Sequence, residues 1–185
     1  MVSAELHNGM FETAGFHGTS AEEAKGIIEN GFNLVENQKL YLGDGAYFFI
    51  DGLSDPYQDA LDYAMNLSKK ENPVVVKADI SAESESVLNL SSREGILLFK
   101  KFKERFYSKR IEDGKKMKEV DDGKIINCLV GEMSFNIKVV ISMRCLRLKK
   151  NWIELNLHSF IPNCIYCCVK DKSCISNEQL IENGG

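Results

Sequence analysis

The chain has 185 residues, of which 44% are hydrophobic and 27% charged, a balance typical of a globular domain rather than a disordered chain. Its formal net charge of −4 argues against a general nucleic-acid binder. Its apolar runs are too short to span a bilayer, and its first residues lack the basic flank and apolar core of a signal peptide. We therefore expect one domain over residues 1–185 that is soluble, cytoplasmic and free of membrane contact.

Two glycine-containing stretches of the first half predict where strands and helices meet. Residues 15–32, GFHGTSAEEAKGIIENGF, are typical of the end of a strand followed by a short helix. Ser20 is the expected N-cap, Glu23 can complete a capping box, and Gly31 is the expected left-handed stop. Residues 41–49, YLGDGAYFF, predict a turn followed by a short buried strand.

Two further helices and a strand are expected in the middle of the chain. Asp55 and Pro56 predict the start of a helix in DPYQDALDYAMNLS, and the β-branched run PVVVKADI predicts a strand. Ser91 and Glu94 form a possible capping box for a longer helix, which buries its apolar side. The side chains expected on that side are Leu98, Phe99, Phe102 and Phe106. A helix is also expected in KIINCLVGEM.

The last third of the sequence is expected to be mostly extended. The segments that carry this expectation are IKVVISMRCLRL, WIELNL and CIYCCV. Together with the early helices they predict an α+β fold with a mostly antiparallel sheet system.

The six cysteines are interpreted as small apolar strand residues rather than as ligands or disulfides. They are Cys128, Cys145, Cys164, Cys167, Cys168 and Cys174. Thiols of cytosolic proteins stay reduced, and the CxxC pair within CIYCC lacks two more ligands at a recognised spacing, since only Cys174 and His158 are near. We therefore expect no metal.

Residues 100–118 hold nine basic and three acidic residues, although the chain as a whole is acidic. Such a stretch is most often the solvated face of a helix. It can also bind phosphates, so a nucleic-acid partner stays open.

Three motifs resemble those of ADP-ribosyltransferases of the poly(ADP-ribose) polymerase type. FHGTS at 16–20 is similar to the His-Gly-Ser/Thr motif that begins their NAD pocket, and LGDGAYFF at 42–49 to their Gly-x-Gly-x-Tyr-Phe run. ALDYA at 60–64 is similar to the later helix that presents a second tyrosine. The resemblance covers about a quarter of the chain, and implies a split pair of antiparallel sheets with flanking helices.

The resemblance implies roles for the residues that match these motifs. His17 would bind the ribose hydroxyls or the adenosine side of NAD, and Gly18 would let the backbone approach the carboxamide. Thr19 would add a hydroxyl near that amide. Tyr47 and Tyr63 would enclose the nicotinamide ring, where a cation attracts aromatic faces. The remaining residue implied in the pocket is Gly45. Each of these residues taken singly is more often a local structural feature.

The third motif of the family is a glutamate that opens a late strand, and here it is absent. Aligning YCCVKD with that strand places Tyr166 at the position of the acid. Some mono-ADP-ribosylating relatives also lack the glutamate, so this departure argues against chain elongation rather than against activity. The alternative is that Glu132 or Glu154 supplies a displaced carboxylate.

The sequence therefore predicts an NAD-dependent mono-ADP-ribosyltransferase with NAD as co-substrate and a macromolecular acceptor, either protein or nucleic acid. The compact unit resembles bacterial or phage toxins and effectors, for which a neutralising antitoxin would be expected. Two alternatives use the same pocket: an inactive module that binds NAD or ADP-ribose, and an NAD glycohydrolase with water as the acceptor.

Overall fold

The computed structural model describes residues 6–7, 9–36, 40–114, 120–132 and 135–181. Its strands are β1 Leu6–His7, β2 Met10–Ser20, β3 Ala46–Ile50, β4 Pro73–Glu83, β5 Val87–Asn89, β6 Val139–Arg144, β7 Cys164–Val169 and β8 Ile175–Ile181. Its α-helices are α1 Ala21–Asn30, α2 Pro56–Asp62, α3 Arg93–Glu112, α4 Asp122–Val130 and α5 Lys150–Glu154. A π-helical turn over Tyr63–Leu67 continues α2. The architecture is mixed α+β.

The described strands form an open sheet in the order β5-β6-β7-β3-β2-β4-β8, with β1 paired to β2. Every neighbouring pair is antiparallel except β5 and β6, which run parallel. The mostly antiparallel sheet expected from the sequence is therefore confirmed.

Alternation along the strands gives the sheet two apolar faces. In β3, Ala46, Phe48 and Ile50 belong to one buried cluster, whereas Tyr47 and Phe49 belong to the other. Strand side chains point alternately to opposite faces, and the same alternation runs through CIYCCV in β7. All six cysteines are free, and the three of β7 are buried in these clusters, as expected of small apolar strand residues. For the other three the expectation of a strand was wrong: Cys128 of α4 and Cys145 are exposed, and the buried Cys174 lies in a short 3₁₀ turn.

The helix caps follow the sequence closely, with one shift. Ser20 and Glu23 form the expected capping box, and Gly31 ends α1 with a φ of 74°. Asp55 caps α2 through the backbone N–H groups of the next turn. The prediction for α3 was wrong by one residue, because Ser92 is the N-cap and accepts a hydrogen bond from the Gly95 N–H at 3.0 Å.

Ser91, the cap expected for α3, has another role. Its hydroxyl oxygen accepts a hydrogen bond from the backbone N–H of Met143 at 2.7 Å. The bond links the start of α3 to β6. The local pattern assigned this hydroxyl to the helix cap, but its partner is distant in the sequence.

The expectation of an extended WIELNL segment was wrong. Lys150–Glu154 is a short helix, in which Lys150 and Glu154 approach to 3.7 Å across one turn. The chain leaves the helix at Asn156, which has a φ of 50° in the left-handed region that asparagine tolerates. Five residues are too few for a clear helical period, which explains why the alternation of WIEL suggested a strand.

The basic stretch begins in α3, and residues 115–119 lie outside the described part. Phe102 is buried, and Leu98, Phe99 and Phe106 pack against the same cluster, as expected for the apolar side. Lys100, Lys101 and Lys109 of this helix are exposed and Lys103 is half-buried, which fits both a solvated face and a surface that binds phosphates. Within the described residues, no helix is both long and apolar enough to cross a bilayer.

Strands β2 and β3 separate after only two residue pairs. Gly15 pairs with Ile50 and Phe16 with Phe49, whereas β2 pairs with β4 along its whole length. Beyond Phe16 the backbones of β2 and β3 diverge, which opens a gap in the sheet beside the motif at residues 16–20. This gap positions the candidate site.

Candidate active site

A cavity of about 1100 Å³ occupies the gap between β2 and β3. Its volume is at the upper end of the range for ligand pockets, large enough for a dinucleotide. All seven site residues predicted from the sequence line it: His17, Gly18, Thr19, Gly45, Tyr47, Tyr63 and Tyr166. The structure thus brings together motifs that are up to 149 positions apart in the sequence, as the numbers of His17 and Tyr166 show.

His17 bridges the two diverging strands. Its Nδ1 lies 2.8 Å from the carbonyl oxygen of Tyr47, just beyond the last pair of the β2–β3 ladder. A carbonyl only accepts, so Nδ1 carries the hydrogen and donates it, which leaves Nε2 of the neutral ring as an acceptor. The histidine thereby satisfies a strand carbonyl that has left the ladder. The ring also contacts the edges of Phe32 and Phe48, at centroid distances of 5.3 and 6.0 Å.

Burial keeps this imidazole uncharged. Desolvation lowers the pKa of His17 below its usual value of 6.5 and outweighs the hydrogen bond to Tyr47, which raises the pKa. Of the nearby charges, the Glu23 carboxylate raises the pKa and the Lys70 ammonium lowers it. The ring is therefore neutral at physiological pH.

Gly18 allows a helix to approach the strand. A Cβ at this position would lie 1.8 Å from the carbonyl oxygen of Ala60 and 3.1 Å from the Cβ of Ala64. The sequence suggested that the missing side chain makes room for a ligand. The structure corrects this reason, since the space beside Gly18 is filled by the backbone of α2.

The turn before β3 is held by the phenol of Tyr47. The Tyr47 hydroxyl donates to the carbonyl of Gly43 at 2.7 Å and accepts from the N–H of Leu42 at 2.9 Å. Gly45 has a φ of 147°, and a Cβ there would lie 2.5 Å from the carbonyl oxygen of Val169. Both residues thus fix the shape of the cavity wall.

Lys170, the residue after β7, holds the same turn through hydrogen bonds. Its Nζ donates to the carbonyls of Leu42 and Asp44, each at 2.5 Å. The ammonium is largely desolvated, which lowers the pKa of Lys170, and the Cys168 thiol beside it partly offsets this shift. Residues 42–44 are therefore held by one cation and one phenol.

Aromatic side chains from β3, β7 and the π-helical turn line one wall of the cavity. Tyr166 meets Phe49 edge-on at 4.8 Å and Tyr47 at 5.7 Å, and Phe49 lies 6.0 Å from Tyr63. Tyr166 is only 5% exposed, and burial raises the pKa of its phenol well above 10. Tyr47 and Tyr63 are half-buried, so each has a ring surface within reach of a ligand.

A polar network borders the cavity beside His17. The hydroxyl of Thr19 donates to Glu23 at 2.6 Å, and Lys70 donates to the other carboxylate oxygen at 2.6 Å. The Lys70 ammonium is the largest cause that lowers the pKa of Glu23 to about 2. Thr19 was expected to offer its hydroxyl to a ligand, but its hydrogen is directed to Glu23, so only an oxygen lone pair is available.

The two displaced acids considered from the sequence lie outside the cavity. Glu132 lies 2.5 Å from Arg105 beside α3, and Glu154 is an exposed residue of α5 that pairs with Lys150. Among the described residues that line the cavity, Glu23 carries the only carboxylate. Tyr166, in contrast, lies in the cavity wall.

The structure adds residues that the sequence did not indicate. Trp152, Arg147 and the exposed Tyr41 line the outer part of the cavity, and Phe32 packs against His17. The stretch LRLKKNW, residues 146–152, contains no recognised motif that would have predicted a place for Arg147 and Trp152 in the cavity lining. The sequence did single out Glu23, but only as the capping-box partner of Ser20 and not as a residue of the cavity.

No protein-family model matches the chain, and a search of the curated proteins finds no significant match.

Proposed function

We propose that the chain is an NAD-dependent mono-ADP-ribosyltransferase. The observation that carries the proposal is the hydrogen bond from His17 to the Tyr47 carbonyl at the mouth of the gap between β2 and β3. It joins the first two sequence motifs at one point of a cavity large enough for a dinucleotide. Tyr63, from the third motif, lines the same cavity.

The chemistry of the cavity suits cleavage of the bond between nicotinamide and ribose. That bond breaks with its electron pair leaving on nicotinamide, which produces an oxocarbenium-like ribose. The neutral His17 ring would accept a hydrogen bond from a ribose hydroxyl through Nε2, while the half-buried faces of Tyr47 and Tyr63 would hold the cationic pyridinium. The acceptor then forms the new bond to ribose and releases its proton to solvent.

Tyr166 would take the place of the glutamate of the family. Its pKa is raised well above 10, so the phenol stays neutral and can donate a hydrogen bond but cannot serve as an anionic base. A site without a carboxylate at this position supports transfer of one ADP-ribose unit better than chain elongation. We therefore propose an enzyme that transfers a single ADP-ribose unit to its acceptor.

One observation favours a second candidate, a module that binds NAD without turning it over. The only carboxylate among the described lining residues, Glu23, is already bonded to Thr19 and Lys70. An oxocarbenium-like transition state then lacks a free anion to stabilise it. Binding without nicotinamide release would identify such a module, and steady release without transfer would identify a glycohydrolase.

The test is nicotinamide release from NAD labelled on its adenylate, in lysate treated with nuclease, protease or neither. His17→Asn is the informative variant, because the amide can still donate to the Tyr47 carbonyl while the acceptor nitrogen is lost. We expect label on a macromolecular fraction with the wild type and at least about a hundredfold less with His17→Asn. Gln179→Asn, at an exposed position of β8 that does not line the cavity, is the control and should keep full transfer.

Circular dichroism and thermal unfolding of both variants would show that the fold is intact. If the wild type neither releases nicotinamide nor labels any fraction, the enzyme proposal is wrong.

A further inference from the structure

The segment beside the outer part of the cavity carries an excess of positive charge. Residues 144–159, here the rim segment, include four basic residues and a single acid, in a chain whose net charge is −4. The basic residues are Arg144, Arg147, Lys149 and Lys150, and the acid is Glu154. Lys149 and Lys150 are exposed, and Arg147 lines the cavity itself. A cationic rim of this kind attracts a phosphate backbone.

Flat side chains accompany these charges. The guanidinium of Arg144 lies 4.2 Å from the ring centre of Tyr41, a cation–π contact that fixes a tyrosine whose exposed fraction is 58%. Trp152 is half-buried in the cavity wall, and His158 is exposed on its rim. Alternating cations and aromatic faces bind single-stranded nucleic acid, because unpaired bases stack on the rings while phosphates meet the charges.

Two hydrogen bonds give the rim segment a defined shape. Arg147 donates to the side-chain oxygen of Asn156 at 2.6 Å, and Nε2 of His158 lies 3.1 Å from the same oxygen. Asn156 therefore joins the cation and the imidazole to the end of α5. The charged and aromatic groups are thus presented at one place rather than scattered along a loop.

Other surfaces fit a nucleic acid less well. The basic residues of α3 do not line the cavity. Two of them pair with acids, Lys103 with Asp122 at 2.6 Å and Arg105 with Glu132, although the rim segment also contains a pair, Lys150–Glu154. The apolar residues next to the rim, among them Phe160 at 98% exposure, are absent from the cavity lining. A protein acceptor could dock on such apolar side chains, but the rim residues that line the cavity include Arg147, Trp152 and His158.

We infer that the rim segment and Tyr41 bind a single-stranded nucleic acid and present one of its bases or ends to the cavity. The inference rests on the proposed function for the chemistry that follows binding, but not for the binding itself. It moves the expected nucleic-acid contact from the basic stretch at 100–118 to the edge of the cavity.

The test measures binding of fluorescent oligothymidylate and oligouridylate by anisotropy, without NAD, at several salt concentrations. We expect affinity to fall with rising salt and to weaken about tenfold in Trp152→Ala, where a stacking surface is lost. Lys149→Glu with Lys150→Glu should weaken it about tenfold or more. Lys100→Glu with Lys101→Glu is the matched control on α3, with the same charge change and an expected effect of less than about twofold.

Binding is scored separately from catalysis. The oligonucleotides bind in the absence of NAD, so a failure of the proposed function leaves this result standing. No oligonucleotide binding by the wild type would overturn the inference, and so would equal losses in the rim and α3 variants. Transfer of label only to protein, with unchanged transfer in the rim variants, would overturn it while leaving the transferase proposal intact.

Discussion

The imidazole of His17 and the backbone carbonyl of Tyr47 meet at 2.8 Å, at the point where strands β2 and β3 cease to pair. The side chain of His17 thus supplies a hydrogen bond at a position where the backbones of β2 and β3 no longer pair. This bond leaves Nε2 of the neutral ring as an acceptor. An apolar residue at position 17 could not donate this hydrogen bond, and the Tyr47 carbonyl in the cavity wall would lose this partner.

The lowered pKa of His17 predicts that acid destabilises the fold. Below pH 6.5 the unfolded chain protonates this ring while the folded chain does not, so the free energy of unfolding falls as the pH drops towards the folded pKa. Above pH 6.5 both states are neutral and the contribution is constant. Urea unfolding between pH 5 and 8 measures the slope.

The control for this pH dependence is His17→Gln, which cannot titrate and should lose this part of the slope. Glu23 stays ionised throughout the range because its pKa is about 2. A slope of unchanged size in His17→Gln would assign the effect to another group and contradict the prediction.

Gly18→Ala should destabilise the protein by about 3 kcal/mol, because the new Cβ would overlap the carbonyl oxygen of Ala60 in the backbone of α2. Gly26→Ala is the opposite control: Gly26 also lines the cavity, but within α1 its Cβ would meet nothing within 4 Å. That change should stabilise by about 0.5–1 kcal/mol, since alanine favours a helix interior. Urea unfolding of both variants gives the two values. Equal effects of the two substitutions would disprove the assigned contact.

The sequence predicted the residues of the cavity better than it predicted their contacts. Caps and alternation are local, so Ser20, Asp55 and the strand AYFFI could be assigned from neighbours in the chain. The reason for Gly18 could not, because its partner Ala60 lies 42 positions away. Spacing alone suggests that a side chain must be missing, but not what occupies the space.

A long-range hydrogen bond explains the error at the cap of α3, whereas the shortness of α5 explains the error in the rim segment. The Ser91 hydroxyl bonds to β6 rather than to its own helix, and no local pattern records that partner. Within the rim segment, Lys150–Glu154 forms a helix too short to give a clear helical period in the sequence. The sequence alone did not show that the charges of this segment lie beside the cavity.

Lys170→Met should loosen the turn that carries the second motif. The variant loses two charged hydrogen bonds to the carbonyls of Leu42 and Asp44, which we expect to cost about 1–3 kcal/mol of unfolding free energy. Amide hydrogen exchange in residues 40–45 should accelerate more than exchange in β4. Lys172→Met is the matched control, since that exposed lysine contacts only the Asn33 side chain, at 3.4 Å, among the hydrogen bonds described for it. Equal acceleration in residues 40–45 and in β4 would indicate a global effect instead.

Tyr166→Phe tests whether a phenol takes the place of the missing glutamate. Tyr166→Ala is unsuitable, because removing a ring that is 5% exposed should cost about 3–5 kcal/mol and collapse the wall shared with Phe49. The phenylalanine variant keeps the ring and removes only the hydroxyl. We expect its transfer rate to fall about tenfold while the Kd for NAD and the free energy of unfolding stay unchanged.

The carboxylates outside the cavity supply the controls for Tyr166. Glu132→Gln breaks a partly exposed ion pair with Arg105, and Glu154→Gln breaks one with Lys150 on the surface, and such pairs contribute little to stability. Both variants should therefore keep full transfer at wild-type NAD affinity. A fully active Tyr166→Phe beside an inactive Glu132→Gln would move the third-motif role to the acid, and would require the segment around Glu132 to approach the cavity when NAD binds.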